Sequence, residues 1–134
     1  MKGKHFKINL KVKPITNYSD TIRIVSLDNS LILDASCFWQ IINKKKIILT
    51  SNDFFSMNND RGIFDKVMQN FNEDISKIVL QKIQMSTIYI KLFFSNNIKI
   101  FFYTSSTKYE SWSLNFKNKQ YICIGGGEIV VFNK

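Results

Sequence analysis

Residues 5–13 alternate strictly, with Phe6, Ile8, Leu10 and Val12 apolar and Lys7, Asn9, Lys11 and Lys13 polar. A period of two over that length predicts a strand with one buried and one wet face. Pro14, the only proline, ends it. A second strand is expected at 20–27, followed by turn chemistry at Asp28-Asn29 before Leu31 and Leu33. Residues 37–42 and 46–50 read as a hairpin around Asn43-Lys44-Lys45. The period then changes. Over 59–71, Ile63, Phe64, Val67, Met68 and Phe71 follow helical spacing, with Asn59 or Asp60 as N-cap. Strands resume at 77–85, 87–94 and 98–103, the last two as a hairpin across Ser95-Asn96-Asn97. Two more, at 110–116 and 119–124, flank Lys117-Asn118, and a final strand runs from Glu128 to Phe132.

These elements predict an α+β fold that is mostly β: an antiparallel curved sheet, sandwich or half-barrel, with one packed helix. The chain of 134 residues accommodates a single domain, 1–134. A weak internal repeat, about 20–50 and 77–132, places a small meander on each side of the helix. At 45% hydrophobic content, including 12 Phe, the chain carries enough apolar surface to fold without staples.

Charge changes the picture more than composition does. The balance is 19 Lys+Arg against 10 Asp+Glu, a net +9, and only Arg23 and Arg61 are arginine. Specific base-edge and phosphate contacts favour the bidentate guanidinium. A lysine-dominated surface instead suits a diffuse field that attracts an acidic partner. Abundant Lys, Asn and Ile is equally accounted for by an AT-rich genome. The clusters Lys7, Lys11, Lys13 and Lys44, Lys45, Lys46 are the expected electrostatic contacts, with a solvated face as the alternative.

Catalysis finds no footing in the residue types. His5 is alone in a charged strand, and Cys37 and Cys123 lack a metal-ligand spacing, so no metal or cofactor is expected. Glu110 and Glu128 suit a turn and a strand start better than acid–base work. Gly125-Gly126-Gly127 precedes a β-branched run and no helix, which fits a tight strand connection better than a phosphate cradle. No apolar run approaches a membrane span and no signal peptide opens the chain. The expectation is a cytosolic protein with reduced thiols that binds neither membrane nor small molecule.

The segment Tyr109–Phe132 has a distinctive pattern, Tyr109-Glu110-x-Trp112-x-Leu114, a short hairpin, then Gly126-Gly127-Glu128 and Ile129, Val131, Phe132. It resembles the ending of a family of small bacterial β-rich proteins that look like immunity proteins of polymorphic and contact-dependent inhibition toxin systems. The strand pairs at "IYIKLFFSNNIKIFFYTSS" and "SLDNSLILDAS" are similar to earlier parts of that family. The resemblance covers about 20–132 and is strong in the last 25 residues. It implies a cytosolic protein that binds and neutralises a cognate toxin domain, and it carries over no catalytic residues. Trp112, Leu114, Gly126, Gly127 and Glu128 are then structural, whereas Tyr109 and Glu110 are candidate toxin contacts beside the lysine clusters. Trp39 is a further candidate anchor, as is Trp112 if it is not core. The alternative function is a small basic β module that stacks single-stranded nucleic acid on its aromatics. A third reading is an assembly subunit joined through the first strand's edge.

Overall fold

A computed structural model describes residues 3–18, 21–56, 61–104 and 109–134. Among the described residues, twelve strands form two antiparallel sheets. The first sheet has the order β1 (Lys4–Leu10), β7 (Leu80–Met85), β8 (Tyr89–Phe94), β9 (Ile98–Tyr103), β5 (Phe38–Asn43), β6 (Lys46–Thr50). The second has the order β12 (Glu128–Asn133), β11 (Lys119–Ile124), β10 (Trp112–Phe116), β4 (Leu31–Ala35), β3 (Thr21–Val25), β2 (Thr16–Tyr18). The strands form two separate sheets over one shared core, and neither closes into a barrel, so of the two expected forms the sandwich describes the molecule.

Alternation dictates this arrangement. In the first sheet Trp39, Ile41, Leu49, Leu80, Ile83, Met85, Ile90, Leu92, Ile100 and Phe102 point inward and are buried. The second sheet answers with Ile22, Ile24, Leu31, Leu33, Ala35, Trp112, Leu114 and Cys123. All belong to one core cluster. The layers meet directly where Phe6 of β1 packs edge-on against Phe116, with centroids 5.7 Å apart, and against Tyr121 at 6.0 Å.

One corner joins the sheets covalently. The chain leaves β4 at Ala35 and enters β5 at Phe38, so this stretch pairs with β10 in one sheet and β9 in the other. The link is held where the Ser36 amide donates to the Ser111 carbonyl at 2.8 Å and the Ser111 amide to the Cys123 carbonyl at 2.9 Å. A strand that changes sheets at a bend is the usual way to turn a sandwich corner.

The helix α2 (Arg61–Ile75) closes the side of the sandwich. Its buried stripe is Phe64, Met68, Phe71 and Ile75, and the Phe64 ring meets Trp39 at 6.3 Å. Asn72 clamps it to the chain before β2, accepting from the Ile15 amide at 2.7 Å and donating to the Ile15 carbonyl at 3.1 Å.

Several expectations need correction. The helix runs four residues further than 59–71 predicts, because Ile75 continues the stripe. Ile63, assigned to that stripe, is 51% exposed. The expected caps Asn59 and Asp60 lie outside the described residues. A short helix α1 (Ser51–Ser56) and the strand β2 have no counterpart in the periodicity. The signal for α1 was a capping box: Asp53 reaches back to accept the Thr50 amide at 2.9 Å. Trp39 and Trp112 are each only 1% exposed, which makes both core residues and removes them as anchors.

Turn chemistry matches its residues. Lys117 and Asn118 both take positive φ, 53° and 62°, as a two-residue hairpin with the right twist requires. Gly127 has φ +78°, and a Cβ there would lie 2.8 Å from the Thr87 carbonyl oxygen. Both reasons for a glycine, the backbone conformation and the close approach, therefore apply at one position.

Candidate binding face on the first sheet

Inward packing consumes one side of each first-sheet strand, and the other side is where chemistry collects. Along β8 the outward residues are Tyr89, Lys91 and Phe93; along β9 they are Lys99, Phe101 and Tyr103. Registry sets them in rows. One row reads Lys7, Lys82, Phe93, Lys99, Ile42, Ile47 across all six strands. The next reads His5, Gln84, Lys91, Phe101, Gln40, Thr50. Tyr89, Tyr103 and Phe38 line up in a third.

Lysines and rings interlock on this face. The Lys82 ammonium sits 4.3 Å from the Phe93 centroid, and the Lys91 ammonium 4.4 Å from Tyr89 and 4.7 Å from Phe101. Each such contact contributes about 0.5–1 kcal/mol at an exposed site. The rings also support one another: Phe93 to Phe101 at 5.8 Å, Phe101 to Tyr103 at 6.4 Å and Phe38 to Tyr103 at 6.0 Å. The Gln84 amide donates to the Tyr89 hydroxyl at 3.2 Å. None of the six strands contains Asp or Glu. The face is thus uniformly cationic, with half-buried aromatics at its centre.

The chain matches no family model, no curated protein and no solved structure.

The structure disperses the sequence-derived site residues, and part of the set falls on this face. Lys7 is exposed on β1, at one edge of the first sheet, and Lys44, Lys45 and Lys46 form the exposed β5–β6 turn at the other. Five strand spacings separate those edges, about 24 Å. Lys44 and Lys45 line a shallow hollow with Asn97 and Lys99, and the Lys44 amide donates to the Asn97 carbonyl at 2.9 Å. Lys11 and Lys13 lie beyond β1, alongside β3, where the Lys13 ammonium donates to Asn29 Oδ1 at 2.8 Å. Tyr109, 74% exposed, and Glu110 precede β10 near the corner. Trp112 and Leu114 are core, Gly126 and Gly127 make the β11–β12 turn, and exposed Glu128 opens β12.

The middle of the face, Lys82, Lys91, Lys99, Tyr89, Phe93, Phe101, Tyr103 and Phe38, is absent from the sequence-derived site residues. The signal was present in the alternation. Once Ile90, Leu92, Phe94 and Ile98, Ile100, Phe102 are assigned inward, the intervening Phe93, Phe101 and Tyr103 must face outward.

Elsewhere, nucleophiles are muted. Burial, with a smaller contribution from Cys123, pushes the Cys37 thiol up to about 12. Burial also raises Cys123, whose sulfur lies 3.3 Å from Thr104 Oγ1. Thiols so protonated are poor nucleophiles. Among the described residues no group of three or more His, Cys, Asp or Glu converges as a metal site. A groove between α2 and residues 14–17 contains Asp65 and Glu73, and its inward amide, Asn72, is already committed to Ile15. No helix of the described residues is long and apolar enough to cross a membrane.

Proposed function

We propose that this chain is a non-enzymatic binding protein whose working surface is the outer face of the first sheet, and that its partner is a toxin domain with an acidic surface, neutralised in the cytosol. The observation that carries the reading is the lysine–aromatic face, free of carboxylates across six strands. Tight protein interfaces rest on a few aromatic anchors at the centre, and charge complementarity speeds encounter and rejects wrong partners. Phe93, Phe101 and Tyr103 are the anchors, held rigid by their mutual contacts, so little side-chain freedom is lost on docking. Lys82, Lys91 and Lys99 surround them, and Lys7 and Lys44–Lys46 extend the field to both edges. The resemblance of Tyr109–Phe132 to immunity proteins supports a toxin as the partner.

The same face supports a second reading. Rings set among lysines on an antiparallel sheet are also how single-stranded nucleic acid is held, by stacking and phosphate neutralisation. The experiment is co-expression with the neighbouring upstream reading frame, with only that neighbour tagged. The immunity reading expects a stoichiometric complex, a neighbour toxic on its own, and loss of the complex with Lys91→Glu/Lys99→Glu. A harmless neighbour that captures nothing overturns it. Binding of a homopolymeric oligonucleotide that weakens steeply with salt would then establish the second reading.

A further inference from the structure

The two sheets have four open edges, and three of them are guarded against pairing. β1 carries Lys4 and Lys7, and its register with β7 slips between Lys7 and Leu10. β6 begins at Lys46 and faces a shift at Ile41/Ile42. β2 has only three residues. Lysines, irregular registers and short length are the usual means of keeping an edge single.

β12 has none of these. Its six residues, Glu128-Ile129-Val130-Val131-Phe132-Asn133, pair with β11 in unbroken register and include no lysine or proline. Val131 is 41% and Phe132 51% exposed. The direction of its free hydrogen-bonding groups follows from one contact: the Lys134 amide donates to the Asn118 carbonyl at 2.8 Å, toward β11. Antiparallel strands alternate, so Glu128, Val130 and Phe132 also turn their amides and carbonyls toward β11. Those of Ile129, Val131 and Asn133 project from the open edge.

We propose that β12 pairs with β12 of a second copy of this chain, antiparallel about a two-fold axis at Val131, so that the two second sheets become one continuous sheet. The register is restricted by two conditions. Inner residues must stay on the inner side across the junction, which demands pairs of equal parity. The central pair must also come from residues whose amides face out. Centring on Val131 meets both conditions and sets Val130 opposite Phe132, Ile129 opposite Asn133, and Glu128 opposite Lys134 of the other copy at each end. Charge complementarity of the strand with itself is what selects a second copy as the occupant, since an isologous contact uses the same patch twice.

The dimer goes beyond the binding face and stands independently of it, because the first sheet's outer face stays open. The test is sedimentation equilibrium of the full chain across a concentration series at low and moderate salt. A reversible monomer–dimer equilibrium is expected, and added salt should strengthen it by screening the +9 charge on each copy. Val131→Pro should leave the fold intact, since that amide serves no intrachain bond, and shift the population to monomer. Glu128→Lys and Lys134→Glu should each weaken the dimer about tenfold or more, and the double exchange should restore it. If Val131→Pro fails to fold, the charge exchange decides alone. A chain that stays monomeric up to roughly millimolar concentration overturns the proposal. So does a dimer indifferent to both charge reversals.

Discussion

On the outer face of the second sheet, charge is answered by charge. Arg23 meets Asp34 across β3 and β4, with Nε to Oδ1 at 2.7 Å and Nη2 to Oδ2 at 3.0 Å. Neighbouring outward positions mix polar Ser113, Asn115 and Gln120 with apolar Ile32, Ile122 and Phe132. On the outer face of the first sheet the cations Lys82, Lys91 and Lys99 have no carboxylate in any strand around them, and rings lie beneath two of them. The backbone rules are the same in both sheets. The inner faces are also alike, because any residue turned inward must be apolar to be buried there. What differs is the side that folding leaves unconstrained. Rings set among lysines add some stability through their cation–π contacts, and their concentration on one face is what the proposed binding role draws on.

The sharpest break of that contrast is charge reversal. Lys91→Glu/Lys99→Glu should weaken binding of the proposed acidic partner by roughly a hundredfold or more, as reversal across a complementary interface does. Titration calorimetry against the co-purified neighbour measures it. Thermal unfolding should change little, since both lysines sit at the surface. Equal loss with Arg23→Ala/Asp34→Ala would erase the distinction between the faces.

Next in size is removal of one ring. Phe101→Ala takes away the contacts to Phe93, Tyr103 and Lys91 at 5.8, 6.4 and 4.7 Å. It should cost about 1–2 kcal/mol of stability in urea unfolding, the expectation for a half-buried ring. Its effect on binding should exceed that, about 2 kcal/mol or more, if the ring is an anchor. Arg23→Ala gives the smaller reference value. That pair is partly exposed, at 47% and 30%, and in water such a bridge contributes about 1 kcal/mol or less.

Why the fold was legible and the face was not follows from what each depends on. Strands β6, β9 and β11 fell on their expected residues because their inward sets, such as Ile98, Ile100 and Phe102, repeat every second position. Helix α2 was legible through Phe64, Met68 and Phe71. β2 was not, because Thr16–Tyr18 is too short to display a period. The face depends on which strands are neighbours, and that is a long-range fact. Lys82 meets Phe93 only because β7 pairs with β8, and Phe38 reaches Tyr103 only because β5 is inserted beside β9. Lysine runs such as Lys44–Lys46 stand out in a sequence, whereas rows assembled across six strands do not. Trp39 fails as a candidate anchor for the same reason, since residue type suggests an interface where packing makes a core, whereas Trp112 is core as its alternation with Leu114 and Phe116 favours.

The smallest expected effect separates the sheets by acid. Asp28, in the turn between β3 and β4 of the second sheet, is lowered from 3.8 to about 2, first by the Ser30 hydroxyl, then by the Ser30 amide and the Ser26 hydroxyl. Its oxygen Oδ1 accepts from all three at 2.6, 3.0 and 2.7 Å. A carboxylate depressed in the folded state contributes stability that is complete above its unfolded value and disappears as pH falls through the folded one. The contribution should therefore be present above about pH 4 and be lost between about pH 4 and pH 2. Asp28→Asn should flatten that part of the stability profile, measured by urea unfolding at successive pH values. The first sheet's strands contain no Asp or Glu to titrate, so in acid the β3–β4 turn should show weakened amide protection before the β8–β9 hairpin does. Hydrogen exchange at pH 3 reads that order directly, and simultaneous loss in both places would mean that the two sheets unfold as a single cooperative unit.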